Sequence, residues 1–130
     1  YLFGWEPRGV VLHQVKYPSV QEVIATAKAA GAGLVFAHPT VYKSMPLVRE
    51  LAAEGAIDGI EVDHPSNSPE DRAECVQLCR EYGLVPTAGT DFHGRNHKVP
   101  HPIGTCTAPD ETVTRLQEIA RKRGGGNGTR

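Results

Sequence analysis

Long apolar runs are missing from this sequence. None approaches the ~20 residues that a helix needs to cross a bilayer, so a membrane-spanning helix is not expected. Charge of one sign is missing too: 14 Lys and Arg against 15 Asp and Glu leave a formal net charge of -1. That balance gives no bulk attraction to nucleic acid or anionic lipid and leaves only local basic patches. Cysteines are few and odd in number: Cys75, Cys79 and Cys106. They make a weak disulfide case, and a zinc site on Cys75 and Cys79 would lack soft ligands nearby. Free thiols in a reducing, cytoplasmic compartment are expected. The start, Tyr1-Leu2-Phe3-Gly4-Trp5, has neither an initiating Met nor a charged segment leading into an apolar one. No secretory signal is therefore expected, and the chain reads as a piece of something longer. What remains is ordinary globular composition, 39% hydrophobic and 22% charged, in 130 residues, enough for one domain at most.

The order along the chain is more informative. Residues 1–17 are mixed, with a β-branched run Val10-Val11-Leu12 that suits a strand. Ser19 followed by Glu22 has the spacing of a helix-starting capping box, and Val20, Val23, Ile24 and Ala27 recur at helical intervals until Gly31. Leu34-Val35-Phe36-Ala37 is a continuous apolar run, as expected of a strand buried on both faces, and ends at His38-Pro39. A second helix over residues 45–54 stops near Gly55, and the run at 57–62 ends at Asp63-His64-Pro65. A third helix has Ser68 as cap, Pro69 at its first position and Glu70 and Asp71 in its first turn. It leads to Gly83, a strand at 85–88 and Asp91-Phe92-His93. A last helix near 109–123 precedes a Gly-rich tail, 124–130, expected to be disordered.

Helix, glycine, strand, histidine thus occurs three times, with His38, His64 and His93 about 26 and 29 residues apart. That period suits consecutive αβ units of an α/β fold with parallel strands. In such folds the C-terminal ends of the strands open on one face, where active sites are built. Three strand-end histidines would converge there.

Asp91-Phe92-His93 is the strongest local motif. On an extended strand end, residues two apart point the same way, so a carboxylate and an imidazole face one point. Hard oxygen with imidazole nitrogen suits Mn, Fe or Zn; a capped loop with an exposed histidine is the plainer alternative. His38 is pushed toward extended geometry by Pro39. Glu61, two residues before Asp63, is either an inward carboxylate that orients an imidazole or an edge-facing polar residue. The basic stretch from Gly94 to Pro102 offers Arg95 and Lys98 as phosphate clamps. His97 and His101 in it read as loop residues, and His13 has no assigned role.

Taken together, Leu34-Val35-Phe36-Ala37-His38-Pro39, Gly59-Ile60-Glu61-Val62 and Gly89-Thr90-Asp91-Phe92-His93-Gly94 resemble the C-terminal half of the PHP superfamily, the polymerase and histidinol phosphatase domain. The resemblance covers residues 1–108. With Tyr1-Leu2, Tyr17-Pro18-Ser19 and Ser66-Asn67-Ser68-Pro69 it is most similar to bacterial nucleoside 3′,5′-bisphosphate phosphatases and 5′→3′ exoribonucleases. It implies a distorted (β/α)7 barrel with two or three divalent metal ions, Mn, Fe or Zn, at the strand ends. It also implies a hydrolase acting on phosphate monoesters or short nucleic-acid ends. His38, Asp91 and His93 carry over as metal ligands. His64 and Glu61 are supporting or substrate-contact candidates.

The family's opening His-x-His is absent, as are the ligands that follow it. The chain is therefore expected to be an incomplete half of the domain, inactive by itself, with apolar strand faces such as Val35 and Ile60 open. Its sheet edge would pair with the missing N-terminal half or with a second copy. The competing expectations are a non-catalytic PHP remnant serving as an interaction module, and an amidohydrolase-type barrel. The latter wants a Lys at a strand end, and no Lys here sits in an apolar run.

Overall fold

A computed structural model describes residues 16–96, 98–99 and 101–124. The candidate strand at 10–12, His13, His97 and residues 125–130 of the Gly-rich tail lie outside the described residues. Helix α1 spans Val20–Ala29, and its start is the expected capping box. The Ser19 hydroxyl accepts the Glu22 N–H at 3.2 Å, and the Glu22 carboxylate accepts the Ser19 N–H at 2.7 Å. Helix α2, Met45–Ala53, buries Met45, Val48, Leu51 and Ala52, the i, i+3, i+6, i+7 stripe of one face. Helix α3, Pro69–Tyr82, is capped by Ser68, whose hydroxyl accepts the Asp71 N–H at 3.0 Å, and it ends at a left-handed Gly83. Helix α4, Glu111–Gly124, starts two residues later and ends one later than the sequence suggested.

Strands β1 (Val35–Phe36), β2 (Gly59–Asp63) and β3 (Val85–Ala88) form a parallel sheet in that order. Val35 faces Gly59 and Gly59 faces Val85; a register shift between Glu61 and Asp63 then brings Asp63 opposite Ala88. β1 is shorter than the apolar run that announced it. The Leu34 N–H donates to the Asp58 side chain at 2.7 Å, and beyond Phe36 the chain turns at His38.

The core lies where β2 and β3 meet α2 and α3: Ile60, Val62, Val48, Leu51, Cys75, Leu78, Cys79 and Leu84. Here one expectation is corrected. Ile60 is 0% exposed, because α2 and α3 cover that face of the central strand, and Val35 is half-buried rather than open. Burial pushes the Cys75 thiol up to about 12 and Cys79 up to about 11, so both behave as small hydrophobes. At the opposite end of the sheet from the histidines, Arg123 of α4 grips the Asp58 carboxylate at 2.5 and 2.7 Å and the Ala32 carbonyl at 2.7 Å.

Candidate functional site

Because the three strands are parallel, the residues that follow them share one end of the sheet. His38 follows β1 at a left-handed φ of 28°, unusual for a residue with a Cβ. Its conformation is held by Glu61: the His38 N–H donates to Glu61 Oε2 at 2.8 Å. The other oxygen, Oε1, lies against Gly89, where an added Cβ would sit 2.8 Å away. Glu61 therefore links the ends of all three strands through a backbone amide and not through an imidazole. Gly89→Ala is expected to displace that carboxylate and release the His38 amide. A hydrogen bond worth about 1 kcal/mol corresponds to roughly fivefold faster amide exchange at His38, measurable by NMR; unchanged exchange would refute the linkage.

His64 follows β2 and is 1% exposed. Its Nδ1 accepts the Ser66 N–H at 3.1 Å. An amide can only donate, so Nδ1 carries a lone pair and the neutral ring holds its proton on Nε2. That Nε2 points at Asp91 Oδ2, 3.7 Å away, and the His64 ring lies 5.3 Å from the His38 ring at 54°. Asp91 takes a left-handed φ of 50°, which Asp tolerates better than most residues. Its carboxylate lies 3.6 Å from His93 Nδ1. The same Nδ1 sits 2.7 Å from the Asp91 carbonyl. A carbonyl only accepts, so Nδ1 carries a proton. His38, His64, Asp91 and His93 thus form one run of contacts.

The donors fit a divalent metal. Imidazole nitrogen and carboxylate oxygen are the types that Mn, Fe and Zn take, and a ring whose other nitrogen donates to a carbonyl is oriented as metal-binding histidines are. Among the described residues, His38 Nδ1 and His64 Nε2 are buried without hydrogen-bond partners, a state that buried polar atoms rarely keep. His64 in its amide-accepting tautomer offers a donor rather than a lone pair, so it suits a supporting or substrate-contact role better than that of a ligand. Among the described residues, no three His, Cys, Asp or Glu side chains enclose a metal position.

Residues that sequence reasoning passed over fix the His64 turn. Asn67 is buried and donates to the Glu61 and Val62 carbonyls at 2.9 and 3.0 Å. Arg72 pairs with Asp63 at 3.0 Å and donates to the His64 carbonyl at 3.3 Å. Cys106 sits beside the same Asp63, and burial followed by that carboxylate raises its thiol pKa. Only the Asp-His-Pro-Ser-Asn turn composition hinted at Asn67. Arg95 and Lys98 are exposed on the loop after His93, and His101 on that loop is half-buried. Neither Arg95 nor Lys98 has a hydrogen bond or ion pair to the histidines or Asp91 among the described residues.

Comparison with known proteins converges on one chemistry. No family profile matches the chain. A phosphoribosyl 1,2-cyclic phosphate 1,2-diphosphodiesterase of Eggerthella lenta is 33% identical over 93 residues, 72% of this chain. A crystal structure from Bifidobacterium adolescentis, provisionally described as a metal-dependent phosphoesterase, superposes with a TM-score of 0.70 at 30% identity over 88% of this chain. The chain is thus similar in sequence to a phosphodiesterase and in structure to a metal-dependent phosphoesterase. Both matches agree with the resemblance to PHP-type enzymes read from the sequence. The chain spans 35% of the curated relative and 41% of the structural one. No helix among its described residues is long and apolar enough to cross a membrane.

Proposed function

We propose that this chain carries part of the active site of a metal-dependent phosphoesterase. The supporting observation is the run of contacts from His38 through His64 and Asp91 to His93, at the C-terminal end of three parallel strands. His38, Asp91 and His93 would hold metal, with Glu61 fixing the His38 backbone and His64 presenting its Nε2 proton toward Asp91. Bound divalent ions, two or three of Mn, Fe or Zn in a complete (β/α)7 PHP barrel, would supply Lewis-acid activation of phosphate and water. Arg95 and Lys98, on the exposed loop, would meet phosphate oxygens. The proposed substrates are phosphate monoesters such as nucleoside bisphosphates, or short nucleic-acid 5′ ends. Free thiols suit a cytoplasmic setting.

The remaining ligands would come from outside the described residues: the N-terminal half of the domain, met along the edge of β1, or a second copy paired there. A second reading, a non-catalytic PHP remnant acting as an interaction module, is favoured by the absence of three converging ligands among the described residues. The test is a phosphatase assay on adenosine 3′,5′-bisphosphate with Mn, combined with light scattering, with and without an upstream PHP half. The expected result is an inactive chain that self-associates or is marginally stable, with activity returning when the half is supplied. Continued inactivity of the complete domain would favour the remnant, and an active monomer of these residues alone would refute incompleteness.

A further inference from the structure

We infer that the cleft between α3, α4 and β3 is a binding site for a small molecule with an apolar body and one carboxylate, such as a short acyl chain. The site is independent of the phosphoesterase reading, for neither the histidines nor Asp91 line it. The cleft holds about 490 Å³, within the roughly 300–1,000 Å³ of small-molecule pockets. Its floor is apolar: Val62, Cys79 and Leu84 are buried, and Val76 and Pro86 are half-buried. It runs beside the chain from Leu84 to Thr87, three strand steps or about 10 Å.

The charges around it set the sign of the ligand. Arg80, in the last turn of α3, and Arg115 of α4 both line the cleft. Arg80 is exposed and has no hydrogen bond or ion pair among the described residues. Arg115 is held by one nitrogen, Nη2, which donates to the Gly83 carbonyl at 3.0 Å and the Leu84 carbonyl at 3.3 Å. Its Nε and Nη1 have no partner among the described residues, so a fixed guanidinium keeps donors for a carboxylate. The charge reaches the floor: burial raises the Cys79 thiol pKa, and Arg115 pulls it the other way. Asp63, the carboxylate among the lining residues, is already paired with Arg72 at 3.0 Å. The two arginines are left unbalanced.

The strand edge beside the cleft is closed to a further strand. Peptide groups alternate in direction along a strand. The Val85 N–H donates to the Asp58 carbonyl at 2.8 Å, so the Leu84 carbonyl points away from β2, as does that of Pro86 two residues on. Arg115 takes the first, and the Thr112 hydroxyl takes the second at 2.9 Å. Pro86 has no N–H to offer. A ladder along residues 84–86 would therefore find no donor and no unengaged acceptor. The cleft is left to a ligand.

Every lining residue belongs to this chain, so the 130 residues carry the whole site with or without an upstream half. Ligand-observed NMR titration compares octanoate with octanol, which lacks the charge, and with butyrate, which lacks most of the chain. Octanoate is expected to bind saturably and each comparator at least about tenfold more weakly, as loss of a charge-assisted hydrogen bond or of several buried methylenes provides. Arg80→Gln and Arg115→Gln should each weaken octanoate about tenfold and leave octanol unchanged. Because Arg115→Gln also releases the Gly83 and Leu84 carbonyls, Thr107→Trp on the exposed rim is the independent variant. It should block octanoate without moving the thermal transition. The same affinity is expected when an upstream PHP half is supplied. No saturable octanoate binding, equal binding of octanol, or an affinity indifferent to all three substitutions would overturn the site. Loss of binding on adding the upstream half would overturn it too, by giving the cleft to the contact between halves.

Discussion

On the proposed ligand set, Asp91→Ala is expected to remove at least one equivalent of metal from this end of the sheet. The carboxylate is the one group within 4 Å of both His64 and His93 among the described ion pairs, so its removal disconnects the two halves of the site. Loss of a supporting hydrogen bond typically weakens a metal site about 10–100-fold; loss of a ligand should exceed that. Mn or Zn titration of the chain, and metal analysis of the complete protein, should show at least one equivalent missing. His64→Gln is the informative companion. If His64 supports Asp91 without ligating metal, that variant should retain the metal equivalents and bind them about 10–100-fold more weakly. Unchanged stoichiometry in Asp91→Ala would remove the Asp-x-His motif from the metal site, and a lost equivalent in His64→Gln would make His64 a ligand.

Much of this arrangement was legible in the amino-acid order, for local reasons. The capping box at Ser19 and Glu22, the Ser68-Pro69 start of α3 and the left-handed Gly83 are set by neighbours in sequence, so the helix starts and stops could be read directly. The parallel strands and their shared end followed from the threefold spacing of His38, His64 and His93. The extent of β1 was not legible, because Leu34 is claimed by Asp58, which is 24 positions away. The tautomer of His64 depends on the Ser66 amide inside a turn, and no composition rule fixes that geometry. For Glu61 the sequence left open an inward carboxylate that orients an imidazole or an edge-facing polar residue. Its bond to the backbone of His38 rather than to a ring depends on the left-handed φ there, which Pro39 had suggested would be extended. Sequence reports what repeats locally; contacts between strand ends emerge only once the sheet is assembled.

The same long-range logic gives a large expected effect on stability. The Asp58 side chain, 12% exposed, accepts both guanidinium nitrogens of Arg123 and the Leu34 N–H. It ties the last turn of α4 to the entrance of β1 and to the start of β2, 65 positions apart in the first pair. Breaking a buried ion pair by removing one partner costs about 3–5 kcal/mol. With Arg123 25% exposed, solvent screening reduces that to about 2–3 kcal/mol. For a domain of this size such a loss lowers the melting temperature by roughly 10–20 °C. Asp58→Ala should show that drop in a thermal circular-dichroism scan, and Asp58→Asn, which keeps an acceptor for Leu34, should show less. Arg49→Ala, which breaks the outward-facing pair with Glu74, should leave the transition nearly unmoved, because solvent screens exposed pairs. If Asp58→Ala and Arg49→Ala melt alike, α4 is not clamped to the sheet through Asp58, and the strand ends that carry His38 and His64 must be held in place by the α2–α3 core alone.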